Sequence, residues 1–190
     1  NPLLRELEQK APGTYQHSLQ VMNMATAVAR SIGASEPLVR AGALYHDIGK
    51  MVNPLCFVEN QSMNPGSEHF HEKFSPRESA TMITSHMTDG LALAEANKLP
   101  DLVVDFIRTH HGTSNTGYFY NKYINAGGNP ADASDFYYKG QRPRSREQVI
   151  LMICDTVEAA SRTLKDNSPE TCSNFVEGVV ASKMSAGQLD

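Results

Sequence analysis

Leu44-Tyr45-His46-Asp47-Ile48-Gly49-Lys50 is the stretch around which the sequence is organised. An imidazole and a carboxylate stand side by side at the end of an apolar helical run, and a glycine and a lysine follow. Glu36-Pro37 opens the run, Val39, Ala43 and His46 fall on one helical line, and Gly49 is a natural stop. A His-Asp pair alone says little, but this one has company. His17 lies on an earlier apolar helix, His86 and the tandem His110-His111 lie downstream, and Asp155 closes the apolar run Val149 to Cys154. Five of the seven histidines and two acids therefore sit on predicted helices with apolar stripes. An unpartnered charge there is costly, and one shared cation site satisfies all of them.

Outward from that stretch the pattern is helical throughout. Pro2 to Lys10 reads as a short polar helix, broken by Ala11-Pro12-Gly13. Thr14 is an expected N-cap for a long helix to about Ser31, in which His17, Val21, Met24 and Val28 share a stripe. Ile32-Gly33 ends it. Met51 to Phe74 reads as a long loop holding His69 and His71, of the kind that is a lid, a binding loop or disordered. Both histidines are expected to be solvated. Ser75-Pro76-Arg77-Glu78 is a capping box for a helix carrying His86, with a bend expected near Thr88-Asp89-Gly90. Leu99-Pro100 starts another, ending at His110-His111-Gly112. A short helix is expected around Tyr118-Phe119-Tyr120. Arg146 to about Leu164 is a strong helix in which Glu158 can pair with Arg162. Ser168-Pro169-Glu170 caps a last amphipathic helix with Phe175, Val176, Val179 and Val180 turned inward. No repeat and no convincing strand is found, so the expected fold class is all-α.

Composition bounds the answer. The chain has 190 residues, 40% of them hydrophobic and 20% charged, which suits one domain with a real core. Its net charge of −4 argues against a general nucleic-acid or anionic-membrane surface, while leaving room for a locally positive pocket. Cys56, Cys154 and Cys172 lack CxxC spacing and read as reduced cytosolic thiols. No apolar stretch approaches a membrane span and no signal peptide is present. The chain opens at Asn1 and not at Met, so a fragment of something longer is the expectation.

Taken in order, His17, His46-Asp47, His86, His110-His111 and Asp155 resemble the pattern of the HD-domain metal-dependent phosphohydrolases. Ala11-Pro12-Gly13-Thr14, Tyr45 to Lys50, Glu59-Asn60-Gln61, Thr88-Asp89-Gly90, His110-His111-Gly112-Thr113 and Asp155 to Ala160 are similar to the cytosolic HD domain of bacterial seven-transmembrane HD receptors, some of which hydrolyse cyclic di-AMP. The resemblance covers roughly Ala11 to Leu164. It implies a helical bundle around a two-metal site, one domain over 1–190 with its core at about 11–164 and a C-terminal helix at about 169–186. It further implies a cytosolic location, tethered through missing upstream segments to an inner-membrane receptor. Asn125 to Arg142 fits no pattern of the family.

By that resemblance His17, His46, Asp47 and Asp155 hold one metal, and His86, His110 and His111 hold a second, with Asp47 bridging. Imidazole and carboxylate suit Fe and Mn, and also Zn. Two such ions can share a water, lower its pKa and clamp both oxygens of an in-line displacement, so a metal-bridging hydroxide is the expected nucleophile. In the family Lys50 sits near the phosphate, where it neutralises charge in the transition state. Asn60 and Thr113 are candidate substrate contacts. Phe57, Tyr118, Phe119, Tyr120, Tyr137 and Tyr138 are candidates for base stacking, although loop aromatics more often pin the loop to the body. The relatives that cut cyclic di-GMP carry a longer His-His-Glu run ending in Gly-Tyr-Pro. Here Gly112-Thr113-Ser114-Asn115 follows the tandem histidines, which favours cyclic di-AMP.

The expected function is thus metal-dependent hydrolysis of a cyclic dinucleotide, cyclic di-AMP to pApA, in second-messenger signalling. One alternative is an HD-type phosphohydrolase acting on dNTPs or nucleoside monophosphates; another is a non-catalytic dinucleotide sensor. Each candidate also has a bland reading. His17 alone would be a hydrogen-bonded core histidine, Asp155 a buried partner of Arg108, and the tandem histidines a helix-end charge.

Overall fold

The computed structural model describes residues 1–62 and 64–189. Among these residues nine α-helices run in order: α1 (Pro2–Lys10), α2 (Pro12–Ser31), α3 (Glu36–Tyr45), α4 (Val58–Gln61), α5 (Pro76–Ala96), α6 (Asp101–Thr109), α7 (Gly117–Asn125), α8 (Arg146–Ser161) and α9 (Pro169–Ser185). Among the described residues there is no β-strand, only an isolated bridge between Asn115 and Tyr137. The all-α expectation therefore holds.

Two apolar clusters form the core. In one, Val21 and Ala25 of α2 meet Val39 and Ala43 of α3, Phe106 of α6 and Leu151 of α8. In the other, Leu3 and Leu7 of α1 pack on Ile48, Met51, Val104 and Ile107. Ala43 belongs to the first and Ile48 to the second. His46-Asp47 is thus the hinge between them, fixed by hydrophobic packing on both sides.

Two glycines allow the helices to close on that hinge. A Cβ on Gly42 would meet the Phe106 ring at 2.5 Å, so only glycine lets α3 cross α6 this closely. At Gly49 a Cβ would lie 1.8 Å from the His86 carbonyl oxygen and 2.5 Å from the Gly90 nitrogen. That approach brings the turn after Asp47 directly onto α5, beside His86. Gly90 serves the same crossing from the other side, since its missing Cβ leaves room for Ile107. The helix runs through Thr88-Asp89-Gly90 without interruption, so the bend expected there is replaced by a close contact.

Several local expectations need correction. Helix α2 starts at Pro12 with Ala11 as its N-cap, because Pro12 fits the first helical turn; Thr14 is already inside it. Helix α3 ends at Tyr45, and Ile48–Val52 is a short 3₁₀ turn. The presumed loop 51–74 contains two further 3₁₀ turns, Pro54–Cys56 and Phe70–Lys73, and the helix α4. His71 is not solvated: its Nε2 donates to the Cys56 carbonyl and its ring lies against Phe119. His69 is exposed beside Glu72, as expected. Helix α9 buries no residue fully; Val176 faces solvent, while Phe175, Val179 and Val180 are half-buried. The capping box at Ser75 and Glu78 and the pair of Glu158 with Arg162 form as the sequence predicts.

Candidate metal centre

Five helices deliver the candidate ligands to one point. His17 comes from the second turn of α2, His46 caps α3 and Asp47 follows it, His86 lies mid-way along α5, His110 caps α6 with His111 behind it, and Asp155 is on α8. All are buried except His111, which is partly so. Their ligand atoms fall into two groups, each compact enough for one ion: His17, His46, Asp47 and Asp155, and Asp47, His86, His110 and His111. Asp47 belongs to both. Its Oδ2 lies 3.3 Å from His46 Nε2 and 3.6 Å from His17 Nε2, while its Oδ1 lies 3.3 Å from His86 Nε2 and 3.4 Å from His110 Nε2.

The histidines are oriented from behind. The Nδ1 of His46 donates to the Ala43 carbonyl at 2.7 Å, that of His86 to Ile83 at 2.6 Å, and that of His110 to Phe106 and Ile107. His17 Nδ1 donates to Glu158, whose carboxylate is held in turn by Arg162. With Nδ1 anchored in this way, each Nε2 faces the centre, where its lone pair is available to a metal once no proton occupies it. Tyr138 stacks on His111 with ring centroids 4.2 Å apart.

Left to themselves, these groups are poorly satisfied. Among the described residues, His46 Nε2 and both oxygens of Asp47 are buried without a hydrogen-bond partner. Lys50 Nζ lies 2.7 Å from Asp47 Oδ2, close enough for an ion pair but not aligned as a hydrogen bond. His86 Nε2 and His110 Nε2 face each other at 3.2 Å. Two lone pairs do not face each other at that distance without a cation or a proton between them. The donor set therefore fits divalent metal ions.

The electrostatics point the same way. Burial opposes the charge on Asp47, yet Lys50 and His46 outweigh it and hold the carboxyl well below its usual range. Asp155 likewise stays ionised against burial through His17 and His46. Burial, together with the neighbouring imidazoles, lowers His110 and His111, which keeps them neutral. Ionised carboxylates and neutral His110 and His111 are protonation states that metal ligation requires, whereas His17 and His46, raised by the neighbouring carboxylates, must give up a proton to a metal.

The match with known proteins follows the same residues. The family model of the HD domain matches residues 14–160. The chain belongs to the HD domain family. It is 40% identical, over its full length, to the cyclic-di-AMP phosphodiesterase PgpH of Bacillus subtilis, of which it spans about a quarter (26%). It also resembles two crystal structures of the HD domain of phosphodiesterase PgpH from Listeria monocytogenes, both at 38% identity and over 99% of this chain. One covers 86% of the crystallised chain with a TM-score of 0.88; the other, in complex with cyclic-di-AMP, covers 85% with a TM-score of 0.89.

The remaining candidates divide. Lys50 reaches the centre: its Nζ pairs with Asp47 and, at 2.9 Å, with Glu59 Oε1. Asn60 does not. It is buried, its oxygen accepts from Thr14 N and its amide donates to Thr14 Oγ1 and the Pro54 carbonyl. It ties α4 to the start of α2, which corrects its assignment as a substrate contact. Thr113 lines the cavity, but both its backbone N–H and its hydroxyl are engaged by Gln188. Arg108 pairs with Asp105, not with Asp155.

Of the aromatics, Tyr118, Phe119, Tyr137 and Tyr138 line the cavity. Phe57 packs instead on His86 and under Lys50, and Tyr120 packs on Phe136. Sequence reasoning overlooked Glu158 as a partner of His17 and Gln188 as a partner of Thr113. The first had a signal, one helical turn after Asp155; the second, 75 residues away in sequence, had none.

The centre opens into a cavity of about 1100 Å³. His17, Lys50, His111 and Asp155 line it together with Tyr118, Phe119 and Tyr137 and with residues of α8 and α9.

Proposed function

We propose that this domain is a metal-dependent phosphodiesterase that opens a cyclic dinucleotide, converting cyclic di-AMP to the linear pApA. The observation that carries the reading is Asp47 shared by two four-residue ligand groups, whose His17, His111 and Asp155 line a cavity large enough for a dinucleotide. In this reading His17, His46, Asp47 and Asp155 hold one divalent ion and His86, His110 and His111 share Asp47 in holding another. Iron or manganese suits this donor set best, with zinc an acceptable substitute. Bound there, such ions supply Lewis acidity toward a phosphoryl oxygen and a nucleophile usable at neutral pH.

The protein's own groups do the rest. Asp47 and Asp155 contribute the fixed negative charge that retains the cations. Glu158 and the carbonyls of Ala43, Ile83 and Phe106 hold the imidazoles in register. Lys50, tethered by Glu59, keeps a positive charge at the edge of the centre, where a phosphodiester anion arrives and where charge grows on its oxygens. The exposed rings of Tyr118 and Tyr137 offer flat apolar surface to a base.

The match to a relative crystallised with cyclic-di-AMP supports this substrate over a nucleoside triphosphate. The second ligand group also weighs against the smaller HD hydrolases acting on nucleotides. We read residues 1–190 as a single catalytic domain. Among the described residues no helix is long and apolar enough to cross a membrane. Since the curated relative is much longer, attachment to a membrane receptor and action in the cytosol are part of the proposal.

A substrate panel tests it. Metal-reconstituted domain is incubated with cyclic di-AMP, cyclic di-GMP and dATP, and products are resolved by chromatography. Linear pApA is expected from the first. Phosphate or triphosphate from dATP, with the cyclic dinucleotides intact, favours the nucleotide phosphohydrolase. Tight binding without turnover favours a sensor.

A further inference from the structure

Helix α9 lies beyond the part of the chain that matches the HD family model, yet one of its faces forms a wall of the cavity. Phe175, Gly178, Val179, Ser182 and Lys183, spaced three and four apart, all line it. The wall is anchored next to the metal centre. Just past α9, Gln188 is buried, and its amide pairs with Thr113, two residues after His111. The space in front of Gly178 is open: a Cβ there would meet nothing within 4 Å.

Three permanent cations line the cavity: Lys50, Arg162 and Lys183. Two are committed. Lys50 is held by Asp47 and Glu59, and Arg162 by Glu158. Lys183 has no ion-pair partner among the described residues. Its amine is drawn below the ordinary lysine range by burial, while Asp155 acts in the opposite sense across the cavity. A half-buried, unpaired lysine facing an open cavity is arranged to receive an anion.

We propose that Lys183 binds the second, non-reacting phosphate of the cyclic dinucleotide, making α9 the element that selects a substrate with two phosphates over one with a single phosphodiester. The inference rests on the functional reading above. A cyclic dinucleotide places its phosphates on opposite sides of one ring. When one sits at the metal centre the other faces away from it, and a desolvated phosphate needs a counter-charge. The metal-centre residues have none to spare, and α9 supplies one.

The test compares two substrates and two variants. Lys183→Met is expected to raise KM for cyclic di-AMP by about ten- to a hundredfold, the usual worth of a charge-assisted hydrogen bond, with kcat nearly unchanged. Hydrolysis of bis(p-nitrophenyl) phosphate, which carries one phosphate, should not change. Lys183→Arg should recover most of the affinity. An unchanged KM in Lys183→Met, or an equal loss on both substrates, overturns the assignment while leaving the functional reading intact. Wild-type domain that cleaves bis(p-nitrophenyl) phosphate but no cyclic dinucleotide removes the functional reading, and this inference with it.

Discussion

Glu158 accepts the Nδ1 proton of His17 from one helical turn beyond Asp155, so a single face of α8 both offers a ligand and aims another. Carboxylates behind metal-bound histidines fix the tautomer and raise the basicity of the ligand. Glu158→Ala should therefore weaken metal retention at the His17 group by about ten- to a hundredfold. Glu158→Gln, which can still accept the proton through its amide oxygen, should lose less. Metal titration by calorimetry, beside a thermal melt to verify folding, separates this from general destabilisation.

Protons and metal compete for the same lone pairs. In the metal-free protein, burial opposes a charge on His46, but Asp47 and Asp155 prevail and push its pKa up to about 10. His17 is also raised: burial again opposes, and Asp155 and Glu158 prevail. Groups raised on folding stabilise fully below their unfolded pKa of about 6.5, and the contribution is lost as pH climbs through the folded value. The metal-free domain should thus melt at progressively lower temperature between about pH 6.5 and 10. Metal binding should release protons, so calorimetric enthalpies should depend on the buffer's ionisation enthalpy, and affinity should rise with pH. A buffer-independent enthalpy would contradict these protonation states.

The crossing of the His46-Asp47 turn with α5 depends on Gly49. A methyl group there would lie 1.8 Å from the His86 carbonyl oxygen, a backbone atom that cannot rotate away. Gly49→Ala should cost about 1–3 kcal/mol or more by overpacking. For a chain of this size that lowers Tm by several degrees, on the order of 2–4 °C per kcal/mol. It should also weaken metal binding at the His86 group, because α5 must retreat. Gly66→Ala is the contrasting case: a Cβ there meets nothing within 4 Å, although its φ of 89° strains any other residue.

These glycines mark what could and could not be read from the sequence. The helices were legible because their apolar stripes, caps and prolines agree, as at Ser75-Pro76 and Ser168-Pro169. The ligands stood out because polar, ionisable side chains recur on stripes that should be apolar. Close backbone approach leaves no such periodic trace, so Gly90 read as a bend when it is a contact. Asn60 read as a substrate contact because a buried amide and an exposed one look alike in sequence. Short 3₁₀ turns between residues 51 and 74 lack the length that makes a helix visible as a period.

The most direct test of the whole account is turnover of cyclic di-AMP by domain reconstituted with manganese or iron, beside Asp47→Ala. Asp47 is the residue common to both ligand groups, so its loss should abolish activity and lower the bound metal while the helical fold persists. The account predicts linear pApA from the wild type and none from the variant. Equal cleavage by both would contradict a centre built on Asp47, and an intact substrate with two metals bound would contradict the proposed reaction.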